Sequence, residues 1–166
     1  LKIGHMLRYS PALQLARTWL RSGLVGEPRA ICALFHYDLP EKNRYWTFRR
    51  DIAGGGALMD AGIHCIDAIR FLVGDPVIPL GATTEQIPAG SVERNAACRF
   101  TAAGAVCFVQ VCSQAPYCSR LSISGTDGEI VIDSFAACWG TATVKLFASQ
   151  SGHVVKEETV DVSKTY

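Results

Sequence analysis

The sequence predicts an α+β domain, a largely antiparallel open sheet with helices packed on one face. Two observations predict this class. Helical spacing of apolar residues is confined to the first half of the chain, whereas the second half is a series of short apolar runs separated by turn residues. The length of 166 residues also suits one domain with its own hydrophobic core. We therefore expect a single domain over residues 1–166, with five to seven strands in its sheet.

The predicted helices and the first strand lie before residue 75. The segment Pro11 to Ser22 begins with a proline suited to a first helical turn and continues with spaced apolar residues, so it predicts a helix. The apolar run Arg29 to Tyr37 predicts a mostly buried strand. The polar segment Asp38 to Ala53 has no clean period and predicts a long loop. Helical spacing returns from Gly56 to about Val73 and ends at Gly74.

The second half of the chain predicts strands. Their bounds are Val77 to Ile87, Glu93 to Thr101, Ala105 to Ser113, Ser119 to Gly125, Glu129 to Asp133, Ala142 to Ala148 and His153 to Val162. Short connections join consecutive strands as hairpins, so we expect antiparallel pairing. One face of such a sheet is covered by the two helices.

Composition excludes several classes of protein. Apolar residues make up 49% of the chain and charged residues 19%, and 16 Lys plus Arg against 15 Asp plus Glu leave a net charge of +1. This balance excludes a disordered tail, a coiled coil and a strongly basic nucleic-acid reader. No run is long and apolar enough to cross a bilayer, and no secretory signal opens the chain. We expect no nucleic-acid or membrane partner.

The cysteines indicate a reducing compartment. Seven cysteines form an odd set without a C-x-x-C pair, and most lie among apolar neighbours. We interpret them as small buried side chains in a cytoplasmic protein. A disulfide between Cys98 and Cys107, across a predicted hairpin, is a second interpretation.

The glycine-led helix carries the most informative polar pattern. At 100° per residue, Asp60, His64 and Asp67 fall within about 60° of one another and share one stripe of the helix. Apolar residues flank the stripe, which predicts a helix covered nearly all round with its polar groups facing a cleft. An imidazole one turn from a carboxylate can exchange a proton with a substrate near neutral pH. The same spacing also suits a simple surface pair with a favourable dipole contact.

Three glycines, Gly54, Gly55 and Gly56, precede this helix. They predict close backbone approaches and first-turn amides left free for an anionic or polar ligand, although a plain loop explains them as well. Asp60, His64 and Cys65 are potential metal ligands, but no second cluster at ligand spacing completes a site. We predict no metal.

In combination, these segments resemble one enzyme family. The stretch Gly4 to Pro11, the Gly23 to Pro28 turn, Trp46, and the glycine-led helix with Asp60 and His64 are similar to the C-terminal domain of the Gfo/Idh/MocA oxidoreductases. The resemblance extends from the first residues to about position 133. It implies an α+β domain that follows a Rossmann domain in a two-domain enzyme.

The resemblance also implies an activity, a cofactor and an assembly. NAD or NADP is bound mainly by the N-terminal Rossmann domain, and hydride passes between the nicotinamide and a CH–OH carbon of a sugar, polyol or cyclic diol. The open sheet is commonly used for subunit pairing. We therefore expect a carbohydrate-like small-molecule substrate and a homodimer or higher homo-oligomer formed through the sheet face.

Site residues follow from the same resemblance. His64 matches the catalytic histidine that accepts or donates the hydroxyl proton, and Asp60 matches the carboxylate that orients substrate and histidine. Arg8 matches an arginine near the domain junction, and Gly54, Gly55 and Gly56 are candidate junction contacts with the cofactor. The candidate substrate contacts are Arg8, Tyr45, Trp46, Arg49 and Arg50.

The chain also departs from the family pattern. It has no G-x-G-x-x-G after a strand, the family's Glu-Lys-Pro motif should precede Leu1, and the chain ends before the family's last helix and strand. We therefore expect a fragment that is inactive alone and becomes a dehydrogenase when full length. Two other functions stay open, a non-catalytic assembly module of the same fold and a small metal-dependent hydrolase using Asp60, His64 and Cys65.

Overall fold

The computed structural model describes residues 4–40, 45–74, 76–85, 87–149, 151–163 and 165. It confirms the α+β prediction and the open, largely antiparallel sheet. The sheet contains eight strands, so the expected five to seven is wrong. The number is larger because all eight predicted strands belong to one sheet, in which the first strand lies between two of the later ones.

The two long helices lie where the sequence predicts them, and shorter helical turns lie outside them. A 3-10 turn at Met6–Tyr9 leads into helix α1, Pro11–Arg21. The predicted long loop is not irregular throughout. It contains a 3-10 turn at Tyr45–Phe48 and the short helix α2, Arg50–Ala53. Elements of four residues are too short to show a helical period. The glycine-led helix begins with a π-helical turn, Leu58–Gly62, and continues as α3, Ile63–Val73.

The strands are β1 to β8 in chain order. Their bounds are β1 Pro28–Asp38, β2 Val77–Thr84, β3 Asn95–Ala102, β4 Ala105–Cys112, β5 Gln114–Gly125, β6 Gly128–Asp133, β7 Thr141–Ala148 and β8 Val154–Asp161. Most agree with prediction within a few residues. The first predicted run of the second half stops at Thr84 instead of Ile87, and Gln86 within it lies outside the described residues. β5 begins at Gln114 instead of Ser119.

The strand order is β2-β3-β4-β1-β5-β6-β7-β8. β1 is the one strand in this order that lies out of chain sequence, between β4 and β5. It pairs with β4 in parallel and with β5 antiparallel, so that Ala33 lies between Val109 and Leu121. All other pairs are antiparallel. A parallel pair requires a long crossover connection, and here it contains α3, β2 and β3. The crossover brings α3 against β1.

Helices α1 and α3 cover one face of the sheet, as predicted. Alternate residues of the central strands, such as Ile31, Val109 and Leu121, are fully or almost fully buried on that face. On the other face, Val106 and Phe108 of β4 are exposed. The core therefore lies between the helices and one side of the sheet, and the other side is open.

All seven cysteines are free thiols. Cys98 lies opposite Val109 and Cys107 lies opposite Phe100, so the register offsets the two thiols and the disulfide interpretation is wrong. Burial raises the pKa of Cys65 to about 12 and that of Cys107 to about 11, which makes these thiols unreactive. The expectation of buried cysteines is correct for Cys65, Cys98 and Cys107 and wrong for the other four, since one is exposed and three are half-buried, namely Cys118 and Cys32, Cys112 and Cys138. Among the described residues, no helix combines the length and apolarity that a membrane crossing requires.

Candidate functional site

The beginning of the glycine-led helix is held by one carboxylate, that of Glu93. The Gly56 amide donates to both carboxylate oxygens at 3.0 Å, and the Leu58 amide donates to Oε1 at 3.1 Å. The Ala57 amide donates to the Glu93 backbone oxygen at 2.9 Å. The expectation of free first-turn amides is therefore wrong for Gly56 and Leu58, because the protein supplies its own anion at the positive end of the helix.

The three glycines have separate structural reasons. A Cβ on Gly56 would lie 1.8 Å from the Glu93 backbone oxygen, so the close approach of two backbones requires glycine there. Gly54 ends α2 with φ +77°, a conformation that other residues rarely adopt. A Cβ on Gly55 would meet the side chain of Met59. These contacts are within the chain.

Asp60 lies in the π-helical turn and is oriented by the first strand. Tyr37, near the end of β1, donates its hydroxyl to Asp60 Oδ2 at 2.7 Å. Asp60 is exposed and lines a cavity together with His64. π-helical turns inside helices are frequent at functional sites, and here the wide turn presents the carboxylate beside β1. The predicted juxtaposition of Asp60 and His64 is present, but the tyrosine, not the histidine, is the hydrogen-bond partner that the structure gives Asp60.

His64 is a half-buried imidazole at the wall of this cavity. Its Nδ1 is buried without a hydrogen-bond partner, and its ring lies 6.4 Å from the His5 ring in an edge-on arrangement. Burial lowers the pKa of His64, and His5 lowers it further, whereas Asp60 and Asp67 oppose the shift. This shift favours the neutral imidazole, which is the form that accepts a proton.

Asp67, one turn further along α3, is a buried carboxylate with its own partners. Only 4% of it is exposed. Arg8 donates to it through Nε at 2.8 Å and Nη2 at 2.5 Å, and His5 Nδ1 lies 3.6 Å from Oδ2. This two-bond geometry fixes the segment before α1 against α3. The guanidinium that the sequence offered as a substrate contact thus engages Asp67.

Two cavities meet at Asp60. The larger has a volume of about 430 Å³ and the smaller about 210 Å³, and Tyr37, Leu39 and Asp60 line both. Four aromatic side chains line the larger cavity, namely Phe35, Tyr37, Tyr117 and Trp139. The larger volume suits a small organic molecule.

The residues predicted to contact substrate do not lie together in the structure. Trp46 lines the smaller cavity beside Asp60. Arg49 instead pairs with Asp51 and lines a different, shallow pocket next to Gly90. Tyr45 and Arg50 are exposed and line neither of the cavities that meet at Asp60.

The helix is less covered than its sequence predicts. Ile63, expected among the buried flanks of the polar stripe, is 42% exposed, and Met59 one turn earlier is exposed as well. Both lie on the helix that carries Asp60 and His64. The prediction of a helix covered nearly all round is therefore wrong at these two positions.

The metal-dependent hydrolase requires Cys65 beside Asp60 and His64, and the structure does not bring the three together. Cys65 is fully buried in the hydrophobic core, so it does not join Asp60 and His64 at the cavity. Within the described ranges, no three His, Cys, Asp or Glu side chains are grouped as a metal site.

Several residues of the site were not predicted. Phe35 and Tyr37 carry a signal in the sequence, because two-residue alternation in β1 places them on the same face as Ile31 and Ala33. Glu93 and Trp139 carry none, since each reaches the site from a loop whose path depends on the tertiary fold.

Comparisons with known proteins agree with this architecture. Residues 13–131 match the GFO/IDH/MocA C-terminal domain. The chain is 26% identical to the D-xylose 1-dehydrogenase [NADP(+)] of Haloarcula marismortui over 154 residues, which cover 88% of this chain and 42% of that enzyme.

Two solved structures are similar in fold. The 3-ketoreductase KijD10 of Actinomadura kijaniata, in complex with NADP and TDP-benzene, superposes with a TM-score of 0.82 at 18% identity, over 95% of this chain and 48% of that one. A levoglucosan dehydrogenase in complex with NADH superposes with a TM-score of 0.76 at 26% identity, over 95% and 45%. The chain spans less than half the length of each of these proteins.

The family match covers most of the chain, and it includes the helix that carries Asp60 and His64. The fold, with its eight-stranded open sheet, superposes on KijD10 and on the levoglucosan dehydrogenase. The chain therefore belongs to the Gfo/Idh/MocA family, as a C-terminal domain of that family.

Proposed function

We propose that this chain is the substrate-binding half of an NAD(P)-dependent oxidoreductase that acts on a CH–OH group of a sugar, polyol or cyclic diol. The observation that carries the proposal is a half-buried imidazole that shares a cavity of about 430 Å³ with a carboxylate. The relatives support the chemistry, since one is named a D-xylose 1-dehydrogenase [NADP(+)] and another was solved with NADH.

Each of the two residues has one role in this proposal. His64 accepts the hydroxyl proton of the substrate during oxidation and returns it during reduction. Because Nδ1 is buried, the exchange falls to Nε2. Asp60, held by Tyr37 through one carboxylate oxygen, accepts a hydrogen bond from a second substrate hydroxyl through the other and orients the ring. The nicotinamide, when bound, supplies or accepts the hydride.

The cofactor would be held by a separate domain. The Gly56 and Leu58 amides already donate to the Glu93 carboxylate, so they are not available to the phosphates of the cofactor. A nucleotide-binding domain that packed over exposed Met59 and Ile63 would cover both side chains. In this proposal the enzyme has two domains, and turnover requires both.

The test is turnover of the complete protein with NAD or NADP and a panel of sugars and polyols. His64→Ala should lower kcat/KM on the order of 10²–10⁴-fold through lost acid/base catalysis. The matched control is His153→Ala, which removes an exposed histidine outside both cavities and should leave turnover unchanged. Equal rates for the two variants would contradict the assignment.

A second candidate function is assembly, and the open face of the sheet favours it. Val106 and Phe108 lie on the central strand β4 and face away from the helices. An exposed apolar face on a sheet of eight strands would be covered by a second copy of the chain. Assembly and catalysis use opposite faces, so one chain can perform both.

A further inference from the structure

The larger cavity has an aromatic part as well as a polar part. Trp139, in the loop between β6 and β7, and Tyr117 of β5 both line it, with ring centroids 5.9 Å apart and ring planes inclined by 43°. Trp139 is 67% exposed and Tyr117 is 44% exposed. Two large rings left open to solvent at a cavity that also holds Asp60 and His64 form a surface on which a ligand can pack.

One buried residue, Ser119, connects Tyr117 to the loop that carries Trp139. Its hydroxyl lies 3.1 Å from the Tyr117 hydroxyl and accepts the Ala136 amide at 3.2 Å. Its backbone oxygen accepts the Ser134 amide at 2.7 Å. The loop that carries Trp139 is thereby fixed to the strand that carries Tyr117. Rings fixed before binding cost less conformational entropy when a ligand packs on them.

The aromatic part is also supported from behind. Phe135 is fully buried and contacts Phe35 edge-on, with centroids 6.3 Å apart, and Phe35 contacts Tyr117 edge-on at 6.2 Å. A buried ring thus supports a half-buried ring, which supports an exposed one. Such edge-to-face packing resists displacement of Tyr117.

We infer that Trp139 and Tyr117 form a platform for the apolar face of a ring-closed sugar and so determine the substrate class, an inference that rests on the proposed function. A pyranose presents C–H groups on a ring face and hydroxyls around its edge. Stacking the C–H face on the platform leaves the hydroxyl edge for Asp60 and His64. An acyclic polyol has the same hydroxyls but no flat apolar face, so it gains nothing from the platform.

The experiment compares D-xylose, which closes into a pyranose ring, with xylitol, the open-chain polyol that has two more hydrogens. It uses the complete protein without nucleotide, so that neither ligand can react. Dissociation constants come from saturation-transfer NMR titrations. Trp139→Leu keeps apolar bulk and removes the flat ring, whereas Trp139→Phe keeps a ring. We expect the leucine variant to weaken D-xylose binding about tenfold and to leave xylitol unchanged. The phenylalanine variant should retain binding of D-xylose within about threefold of wild type.

The outcomes separate this inference from the proposed function. Loss of turnover in His64→Ala, with D-xylose affinity equal in wild type and Trp139→Leu, would overturn the platform and leave the enzyme assignment intact. Selective loss of D-xylose affinity in Trp139→Leu, in a protein without NAD(P)-dependent turnover, would establish the platform and contradict the enzyme assignment. Equal weakening of both ligands, or failure of Trp139→Phe to restore binding, would show that Trp139 only supports the fold.

Discussion

His64 links the geometry of single residues to the pH dependence of the protein. Its pKa is lowered by burial first and by His5 second, and Asp60 and Asp67 partly oppose the shift. The other groups at this site are Tyr37, which hydrogen bonds to Asp60, and Arg8, which pairs with Asp67. A neutral His64 is the form that accepts a proton. For oxidation, the acid limb of kcat/KM should therefore lie below pH 6.5, the ordinary pKa of histidine.

The same shift predicts a stability effect with a definite sign. The unfolded chain binds a proton on His64 near pH 6.5, whereas the folded chain resists it until lower pH. His64 therefore leaves the free energy of unfolding unaffected above pH 6.5 and reduces it as the pH falls below that value.

His5→Asn tests the electrostatic cause. Removing His5 removes the like charge that lowers the pKa of His64, so the acid limb should move toward higher pH. The pH profile of kcat/KM for wild type and variant measures the shift. A limb that stays in place or moves to lower pH would contradict the expected coupling between the two imidazoles.

Arg8 and Asp67 predict a stability effect instead of a catalytic one. Arg8→Ala leaves a carboxylate that is only 4% exposed without its two-bond partner. Removing one partner of a buried ion pair lowers the free energy of unfolding by about 3–5 kcal/mol. Because Arg8 itself is partly exposed and His5 remains near, we expect a loss of about 3 kcal/mol at most. Urea unfolding measures it. The double variant Arg8→Met with Asp67→Leu should be more stable than Arg8→Ala, and the reverse order would contradict the explanation.

At the scale of elements, the position of the π-helical turn depends on two backbones that approach closely. Gly56→Ala would place a Cβ 1.8 Å from the Glu93 backbone oxygen, which side-chain motion cannot relieve. We expect a loss of about 1–3 kcal/mol in the free energy of unfolding. Gly4→Ala is the matched control, because no atom lies within 4 Å of its added Cβ. Equal stability of the two variants in thermal unfolding would show that the loop of Glu93 adapts.

Elements differ in how far their sequence predicts them. α1 and α3 have the helical spacing of apolar residues and β1 is an apolar run, so local pattern locates all three. The segment Tyr45–Phe48 lies in the predicted loop, and its single 3-10 turn is too short for a period to reveal it. Helical spacing does locate Leu58–Gly62 within the glycine-led helix, but it does not distinguish a π-helical turn from an α-helical one. The short helix α2 in the same predicted loop begins at Arg50, whose amide donates to the distant Gly90 oxygen, a contact that no local pattern predicts.

At the scale of the whole molecule, the open face of the sheet predicts self-association. Phe108 lies on this face between Cys32 of β1 and Arg99 of β3, near the centre of the sheet. Phe108→Lys would place a charge in the surface that a second copy covers under the assembly proposal. We expect a shift toward monomer in sedimentation velocity, with unchanged circular dichroism. Val155→Lys, an equally drastic change at an exposed position on the edge strand β8, is the control. A monomeric wild type would exclude pairing through this face.

The sequence by itself determined the α+β class, the order of helices and strands, and the juxtaposition of Asp60 with His64. These properties are local, since the helical period and the alternation of strands are present in short segments. The family resemblance also depends on short segments, which are the stretch Gly4 to Pro11, the Gly23 to Pro28 turn, Trp46 and the glycine-led helix. For the same reason, the residues of the polar stripe were identified before their surroundings were known.

Only the tertiary structure decided what those residues contact. Tyr37 reaches Asp60 across 23 positions of sequence, Glu93 reaches Gly56 across 37, and Arg8 reaches Asp67 across 59. The contact of Tyr37 with Asp60 follows from the insertion of β1 beside β4, which brings the end of the first strand against the glycine-led helix. No local pattern encodes that insertion, because it results from the burial of all eight strands in one sheet at once.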